Sequence, residues 1–361
     1  MILPKIANNI GFSFSPGGLL LPYHLGVADC LIKEKYLNQF ESVVGGSSAG
    51  SIAAMAIGCG LDPLKGLEGT ISISDNCISQ GKKARGNLLP LLKEQMKLLV
   101  GDEEYDFLNQ RQQHYIDKTN GNEEFGTGVC IAYKEIFPLR KAHFQTKFKT
   151  REDFFNTVGY SCMFPFFTTN YPFIIEMNNN GANNIDTAND ANDSTNNNEN
   201  ETIISNSRLQ LPRFLMDGYF SLPREQFGCP IFEKDVFANA NTDTGTDNAT
   251  VVDRTVAITC IPQELFGMDT VFNNNNNNNN EDNEGTTNTN NNNNLISIST
   301  DDEFTITDIF RIATETSSRK ELTDLYERGY RDGENWCRKE VEQQQQQQQL
   351  IIIENDNNLV L

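Results

Sequence analysis

The fold is decided by the stretch Val43-Val44-Gly45-Gly46-Ser47-Ser48-Ala49-Gly50-Ser51-Ile52-Ala53-Ala54. It predicts the end of a buried strand, a turn too tight for bulky residues, and then a helix. The pattern Gly46-x-Ser48-x-Gly50 places one hydroxyl at the tip of a strained strand-to-helix turn, where glycines tolerate unusual dihedral angles and close packing. Ser48 is therefore a candidate nucleophile, and the alternative is a purely structural glycine turn.

Two strand-turn-helix units open the chain. Residues 10–15 alternate apolar and small side chains, Pro16-Gly17-Gly18 forms a turn, and a helix begins near Pro22. The second unit is the one that contains Ser48. Two such units in series predict parallel strands joined by right-handed crossovers, so their turns should share one edge of a sheet.

Further elements follow the same local patterns. We predict strands at 128–133 and 255–260, and two hairpin strands at 173–177 and 213–216. Helices are predicted at 87–100, 151–161 and 321–339. The fold class is α/β with a mostly parallel central sheet.

Long polar tracts interrupt these elements. Asn-rich inserts occupy 178–207, 238–250 and 274–294, and a low-complexity tail occupies 343–361. Such tracts have no apolar area to offset the entropy of ordering, so we expect surface insertions. The remainder, about 270 residues, suffices for one α/β domain, and we predict a single domain over 1–342.

Composition limits the partners. A formal net charge of -20 argues against nucleic acid, because nucleic-acid-binding proteins present basic faces. The eight cysteines show no CxxC pairs, and several lie in apolar runs, so we expect buried free thiols in a reducing compartment and no metal ion or cofactor. We find neither a secretory leader nor an apolar run of membrane-spanning length, and expect a soluble, cytoplasmic protein.

A serine nucleophile needs a general base within hydrogen-bond reach. The three histidines are His24, His114 and His143, so none comes late in the chain, where the order serine, acid, histidine requires one. A carboxylate acting alone with the serine remains. The best candidate is Asp217 in Leu215-Met216-Asp217-Gly218, which ends an apolar strand and is expected at the same sheet edge as Ser48. The alternative is an aspartate that caps its own turn.

Three motifs in order resemble one known family. Ser13-Phe14-Ser15-Pro16-Gly17-Gly18-Leu19-Leu20-Leu21-Pro22-Tyr23-His24-Leu25-Gly26-Val27, then Gly46-Ser47-Ser48-Ala49-Gly50, then Asp217-Gly218 are similar to the patatin-like phospholipases. The resemblance is greatest to the adipose-lipase-like members, which share a G-x-L-x-x-Y-H-x-G-V signature. It covers residues 10 to about 229 and, more loosely, the last helix.

The resemblance implies a three-layer α/β/α fold and a Ser-Asp dyad that hydrolyses lipid acyl esters of phospholipids or acylglycerols through an acyl-enzyme. By position, Ser48 is the nucleophile, Asp217 the base, and the Gly17-Gly18 turn the oxyanion hole; His24 has a packing role. The family usually has D-G-G or D-G-A, whereas this chain has Asp217-Gly218-Tyr219. A bulky Tyr219 could narrow the site.

An acidic protein that meets lipid must rely on apolar contacts, since electrostatic attraction to anionic bilayers needs basic residues. The segment 163–167, with Tyr171, Pro172 and Phe173, is either core or an exposed lipid-contacting rim, and we expect Phe166 and Phe167 to be the exposed residues if any are. The basic trio Lys82, Lys83 and Arg85 is either a solvated loop or a contact with anionic lipid. We expect peripheral association with a membrane or a lipid droplet.

Two other classes of function compete with a lipid hydrolase. One is a catalytically silent lipid-binding or scaffold protein with the same fold, suggested by Tyr219 and the polar inserts. The other is a nucleotide-binding protein that uses 45–51 as a phosphate loop. The second is weak because no lysine follows the glycines where a phosphate loop requires it.

Overall fold

The computed structural model describes residues 9–81, 85–118, 126–177, 211–236, 252–262, 265, 294–298 and 305–358. Its strands are, in chain order, β1 (Ile10–Phe14), β2 (Val44–Gly46), β3 (Val129–Phe137), β4 (Ala142–Gln145), β5 (Ile174–Glu176), β6 (Arg213–Met216), β7 (Arg254–Thr259) and β8 (Leu295–Ser297). Its α-helices are α1 (Leu21–Lys33), α2 (Ala49–Gly58), α3 (Pro63–Ser79), α4 (Leu88–Leu99), α5 (Asp102–Lys118), α6 (Arg151–Ser161), α7 (Ile306–Thr314) and α8 (Arg319–Asn358).

The predicted inserts at 178–207 and 238–250 lie outside the described residues, and so does the insert at 274–294 apart from Asn294. The predicted tail at 343–361 is described as far as 358, where it is the continuation of α8.

The strands form one mixed sheet in the order β5-β6-β3-β2-β1-β7-β8, with β4 also paired to β3. All pairings from β3 through β2, β1 and β7 to β8 are parallel. The pairings of β3 with β4 and β6, and of β5 with β6, are antiparallel. The predicted parallel sheet and the predicted hairpin strands are therefore confirmed, and the hairpin joins the same sheet.

Apolar side chains cover both faces of this sheet. Val43 and Cys130 pack with Phe232 in one cluster, whereas Val44 and Ile131 belong to the larger core. Because successive residues of a strand point to opposite faces, both faces are buried under helices or loops. This arrangement agrees with the predicted three-layer α/β/α fold.

Most predicted bounds agree with the structure, and three helices were missed. The helix predicted near Pro22 is α1, and α6 has its predicted bounds. The strand predicted at 128–133 continues to Phe137, and the last helix extends beyond the predicted 321–339 in both directions. No helix had been predicted at the positions of α3, α5 or α7.

The cysteine prediction is confirmed, since all eight thiols are free and buried. Across the described part of the chain, none of the helices combines the length and the apolar character needed to cross a membrane.

Arg111 on α5 joins the segments that lead into β2 and β3. Its side chain is fully buried. Its Nε donates to the Thr127 carbonyl at 3.1 Å, and its Nη2 donates to the carbonyls of Ser42 at 2.8 Å and Gly128 at 3.4 Å. Its Nη1 donates to the Gln39 carbonyl. One guanidinium thus fixes the start of β2 against the start of β3, and β2 leads directly to Ser48.

Replacing this side chain tests that role. Arg111→Met should lower the free energy of unfolding by about 3 kcal/mol, because buried carbonyl oxygens lose their donors. Urea unfolding measures the change. Arg331→Met, at an exposed position of α8, is the matched control and should change stability by less than about 0.5 kcal/mol. Equal effects of the two substitutions would contradict the role of Arg111.

Candidate active site

Ser48 lies at the sharp turn between β2 and α2. Its backbone has φ 53° and ψ -124°, a conformation that costs a residue with a side chain about 1–3 kcal/mol. The glycines of the motif were predicted to supply unusual dihedral angles, but Gly46 and Gly50 do not have positive φ. They allow close packing instead, since a Cβ at either position would collide with the Phe14 carbonyl oxygen. The strain is therefore carried by Ser48 itself.

Asp217 reaches Ser48 because β2 and β6 approach each other end to end along β3. β2 pairs in parallel with β3 over residues 129–131, whereas β6 pairs in the opposite direction over 134–137. Gly218 follows Asp217, and a Cβ on it would collide with the Ala132 carbonyl of β3 and with the Cβ of Ser47. The predicted proximity thus arises from strands of opposite direction, not from the shared edge of a parallel sheet on which the prediction relied.

The carboxyl group of Asp217 is fully buried. Its Oδ1 accepts the Tyr219 N–H at 2.8 Å, and its Oδ2 has no hydrogen-bond partner of ordinary geometry among the described residues. Burial raises the pKa of Asp217 to about 7, although the Tyr219 N–H and the nearby Ser48 hydroxyl both lower it. A carboxyl with a pKa near neutrality can both hold and release a proton there, and its carboxylate form can accept a proton from a neighbouring hydroxyl.

The segment 161–163, where α6 ends, contacts the backbone of both residues. The Ser48 N–H donates to Ser161 Oγ at 2.9 Å, and the Cys162 thiol donates to the Ser48 carbonyl at 3.4 Å. The Asp217 N–H donates to the Met163 carbonyl at 2.9 Å. Sequence reasoning missed these contacts, because no local pattern distinguishes a serine at a helix end as the partner of a distant amide.

Ion pairs hold β6 in the sheet. Arg213, the first residue of β6, donates to Glu135 of β3 at 3.0 Å and to Glu176 of β5 at 2.7 Å. His143 of β4 contacts the same Glu135 oxygen at 3.0 Å. The Glu135 side chain is 2% exposed, so its contacts with Arg213 and His143 are largely shielded from solvent. They fix the strand four residues before Asp217.

None of the three histidines contacts Ser48. His24 is fully buried on α1, where its Nε2 lies 2.8 Å from the Ser15 carbonyl and burial lowers its pKa to about 4. A carbonyl only accepts, so Nε2 carries the proton of a neutral ring. His143 belongs to the Glu135 network, and His114 packs against Phe40. In the described residues, no group of three or more His, Cys, Asp or Glu could hold a metal ion.

A cavity of about 510 Å³ opens above Ser48. Gly17 and Gly18 line it together with Ser48, and Arg85 is the one charged residue among the described residues that do so. Lys82 and Lys83, the other members of the basic trio, lie outside the described residues. Most of the wall is apolar, and it includes Leu19, Ile52, Ile73, Leu88, Phe227 and Phe310.

The Gly17-Gly18 turn is wedged between two later parts of the chain. Gly18 has φ 57°, and a Cβ on it would lie 2.5 Å from the Ala313 carbonyl of α7. A Cβ on Gly17 would collide with Cys260 Sγ, just after β7. The turn therefore has room for backbone only, and this backbone lines the cavity beside Ser48.

An aromatic rim, defined by Phe164, Phe166 and Tyr171, lies beside the cavity mouth. Their exposed fractions are 40%, 53% and 70%, so these three are not core residues. The prediction of an exposed Phe166 is confirmed. The prediction for Phe167 is wrong, because this ring packs beside Leu19, Ile73 and Leu88. Met163 is buried, and Phe173 stacks on Phe214 at 4.6 Å.

Tyr219 forms part of the cavity wall. Its ring lies 5.5 Å from that of Phe227 and 5.1 Å from that of Phe220, both edge-on. The Tyr219 side chain, where the family usually has a small residue, thus forms part of the cavity wall. Its backbone N–H donates a hydrogen bond to the Asp217 carboxyl.

Comparison with known proteins finds a family model that covers every residue of this site. A family model described as patatin-like phospholipase matches residues 12–314, which include Gly17, Gly18, Ser48 and Asp217. No curated protein matches the chain.

The raised pKa of Asp217 predicts a pH-dependent stability. The folded protein keeps a proton between about pH 4 and 7 that the unfolded chain releases near pH 3.8, so stability falls as pH rises through this window. Relative to Asp217→Asn, which has no charge to bury, the wild type should lose about 2–3 kcal/mol between pH 5 and 8. Urea unfolding of both proteins at the two pH values measures this. A difference that does not change with pH would contradict the burial of an ionisable carboxyl.

Proposed function

The chain belongs to the patatin-like phospholipase family, and on that premise we propose that it hydrolyses lipid acyl esters through a dyad of Ser48 and Asp217. The family implies a hydrolase of lipid esters. The substrate is a phospholipid or an acylglycerol, and neither a metal ion nor a cofactor takes part.

One observation carries the proposal: two segments distant in sequence bring a buried carboxyl next to a strained serine that lines an apolar cavity. Because β2 and β6 approach each other end to end, the Asp217 carboxyl lies next to the Ser48 hydroxyl. This hydroxyl lowers the pKa of Asp217 against the larger effect of burial. Purely structural roles would not require a serine with positive φ beside a buried carboxyl whose Oδ2 has no hydrogen-bond partner of ordinary geometry among the described residues. Such strain is concentrated at functional sites.

The mechanism follows from these positions. The Asp217 carboxylate accepts the proton of Ser48 while Ser48 Oγ attacks the ester carbonyl. The tetrahedral oxyanion is stabilised by backbone amides of the Gly17-Gly18 turn, where one lost donor typically costs about 3 kcal/mol. The alcohol leaves with a proton, and an acyl-enzyme remains. Water activated by Asp217 then releases the fatty acid and regenerates Ser48.

The surroundings of the site support a lipid substrate. The mostly apolar wall suits an acyl chain, and the aromatic rim presents apolar area to a lipid surface. With a net charge of -20, the protein has little electrostatic attraction to anionic bilayers. Apolar contacts of the rim therefore carry the attachment to a membrane or a lipid droplet.

The signature in 17–27 favours the adipose-lipase-like members of the family. The eight free, buried thiols favour a reducing, cytoplasmic location. The aromatic rim favours peripheral attachment of this cytoplasmic protein to lipid. Residues 1–342 constitute one hydrolase domain, and 343–361 its low-complexity tail.

Two substitutions test the dyad. Ser48→Ala should lower ester hydrolysis at least a thousandfold with the fold intact, and Asp217→Asn should be nearly as damaging because an amide cannot take the proton. Activity on a short soluble ester and labelling by a fluorophosphonate probe provide the measurements. His24→Ala is the control for a histidine base, and it should lose far less activity than Asp217→Asn because His24 does not contact Ser48. Wild-type turnover by Ser48→Ala would sink the assignment, and an unlabelled, inactive wild type would favour the silent lipid-binding alternative.

A second experiment tests the aromatic rim. Phe166→Ser combined with Tyr171→Ser should weaken binding to phosphatidylcholine vesicles at least tenfold and slow hydrolysis of vesicle lipid, because apolar area is removed from the contact. Hydrolysis of a short soluble ester should stay near wild type, since neither side chain lines the cavity. Leu139→Ser, at a 71% exposed apolar residue of the β3–β4 turn, is the control. Equal vesicle binding by all three proteins would contradict the role of the rim.

A further inference from the structure

The strained backbone of Ser48 needs a partner that holds it. Ser48 precedes α2 and makes no side-chain capping bond to it, so its hydroxyl is not fixed through the helix. The Ser51 hydroxyl donates to the Ser48 carbonyl at 2.6 Å from within α2. The N–H of Ser48 has a partner from a different element, the hydroxyl of Ser161.

The Ser161 hydroxyl connects three elements through one atom. It accepts the Ser48 N–H at 2.9 Å and donates to the Ala132 carbonyl of β3 at 2.7 Å. The side chain is fully buried at the C-terminal end of α6. A hydroxyl both donates and accepts, so no apolar residue can replace it here. The carbonyl that it occupies lies between the stretches of β3 that pair with β2 and with β6.

We propose that Ser161 is a positioning residue for the nucleophile: its hydroxyl ties the Ser48 amide to β3 and so directs the Ser48 side chain toward Asp217. This inference rests on the proposed function. Ser161 does not line the cavity, so it acts through Ser48 and not on the substrate. The next two residues reinforce the arrangement, since Cys162 and Met163 contact the backbones of Ser48 and Asp217.

The structure offers a matched control in Ser74 on α3. Its hydroxyl also donates to a carbonyl and accepts an N–H, both from Ser317, at 2.6 and 3.1 Å. It is 1% exposed and does not line the cavity. Ser74→Ala and Ser161→Ala therefore remove the same two kinds of buried hydrogen bond, and should lower the melting temperature by similar amounts. The two serines differ in their partners, because Ser161 contacts the backbone of Ser48 whereas Ser74 contacts that of Ser317.

Kinetics on a short soluble ester distinguish the two sites. Ser161→Ala should lower kcat and the rate of fluorophosphonate labelling at least tenfold with KM changed less than about twofold, while Ser74→Ala should leave both near wild type. Ser161→Thr, which keeps the hydroxyl, should retain more kcat than Ser161→Ala. Equal losses in Ser74→Ala and Ser161→Ala, or full activity of Ser161→Ala, would overturn the proposal.

The dependence of kcat/KM on pH distinguishes a positioning role of Ser161 from a loss of stability, because lowered stability alone would not shift the acid limb. The Ser48 hydroxyl lowers the pKa of Asp217. Among the residues that the structure describes, Cys162 is the other titratable group acting on this carboxyl, and it stays a neutral thiol because burial raises its pKa. If Ser48 turns away in Ser161→Ala, the acid limb of kcat/KM should move to higher pH. An unmoved limb would contradict the proposal.

Two further measurements separate this inference from the proposed function. A wild type that shows no Ser48-dependent hydrolysis would refute the function. A crystal structure of Ser161→Ala tests the positioning role independently of activity: the inference expects Ser48 to leave its positive φ. A Ser48 backbone unchanged in that crystal structure would overturn it.

Discussion

The contact of Gly218 with Ser47 and the Ala132 carbonyl is the constraint on which the site depends. It marks the point where a parallel strand and an antiparallel strand run toward each other on β3. A side chain at 218 would force the two strand ends apart, so the base and the nucleophile meet only because backbone packs against backbone there. A purely parallel sheet would need a loop to bring a carboxylate to this position. The mixed sheet achieves the same proximity with two strand ends.

The same burial that brings the pair together determines its chemistry. Removing the Asp217 carboxyl from water disfavours its charged form, and its pKa of about 7 makes it a stronger base than an exposed aspartate. A strained serine and an ionisable buried carboxyl both lower stability. The surrounding sheet compensates for this. Arg213 holds β6 through Glu135 and Glu176, and Arg111 secures the entry to β2, so the elements that carry the site are fixed from their far ends.

The sequence was most informative where a local pattern has a local cause. Gly46-x-Ser48-x-Gly50 predicts the turn because the steric demands lie within a few residues, and the lack of a late histidine points to Asp217. Contacts between distant segments leave no such pattern. Nothing in the sequence around Ser161 indicates that its hydroxyl accepts the Ser48 N–H. The prediction for Phe167 was wrong because a run of aromatic residues does not show which ring packs against the core and which stays exposed. α7 could have been predicted, since Thr305 and Asp308 form a capping box.

The region between the second insert and α8 contributes no dyad residue, yet it completes the site. Cys260 after β7 and the Ala313 carbonyl of α7 lie on two sides of the Gly17-Gly18 turn, where any side chain would collide with them. Phe310 of the same helix closes part of the cavity wall. β7 pairs in parallel with all five residues of β1, so the strand that leads into the turn lies directly beside the strand that restrains it. The turn is therefore shaped by residues far later in the chain. The family match continues to residue 314, nearly a hundred residues beyond Asp217, and so includes β7 and α7, which hold the backbone proposed to stabilise the oxyanion.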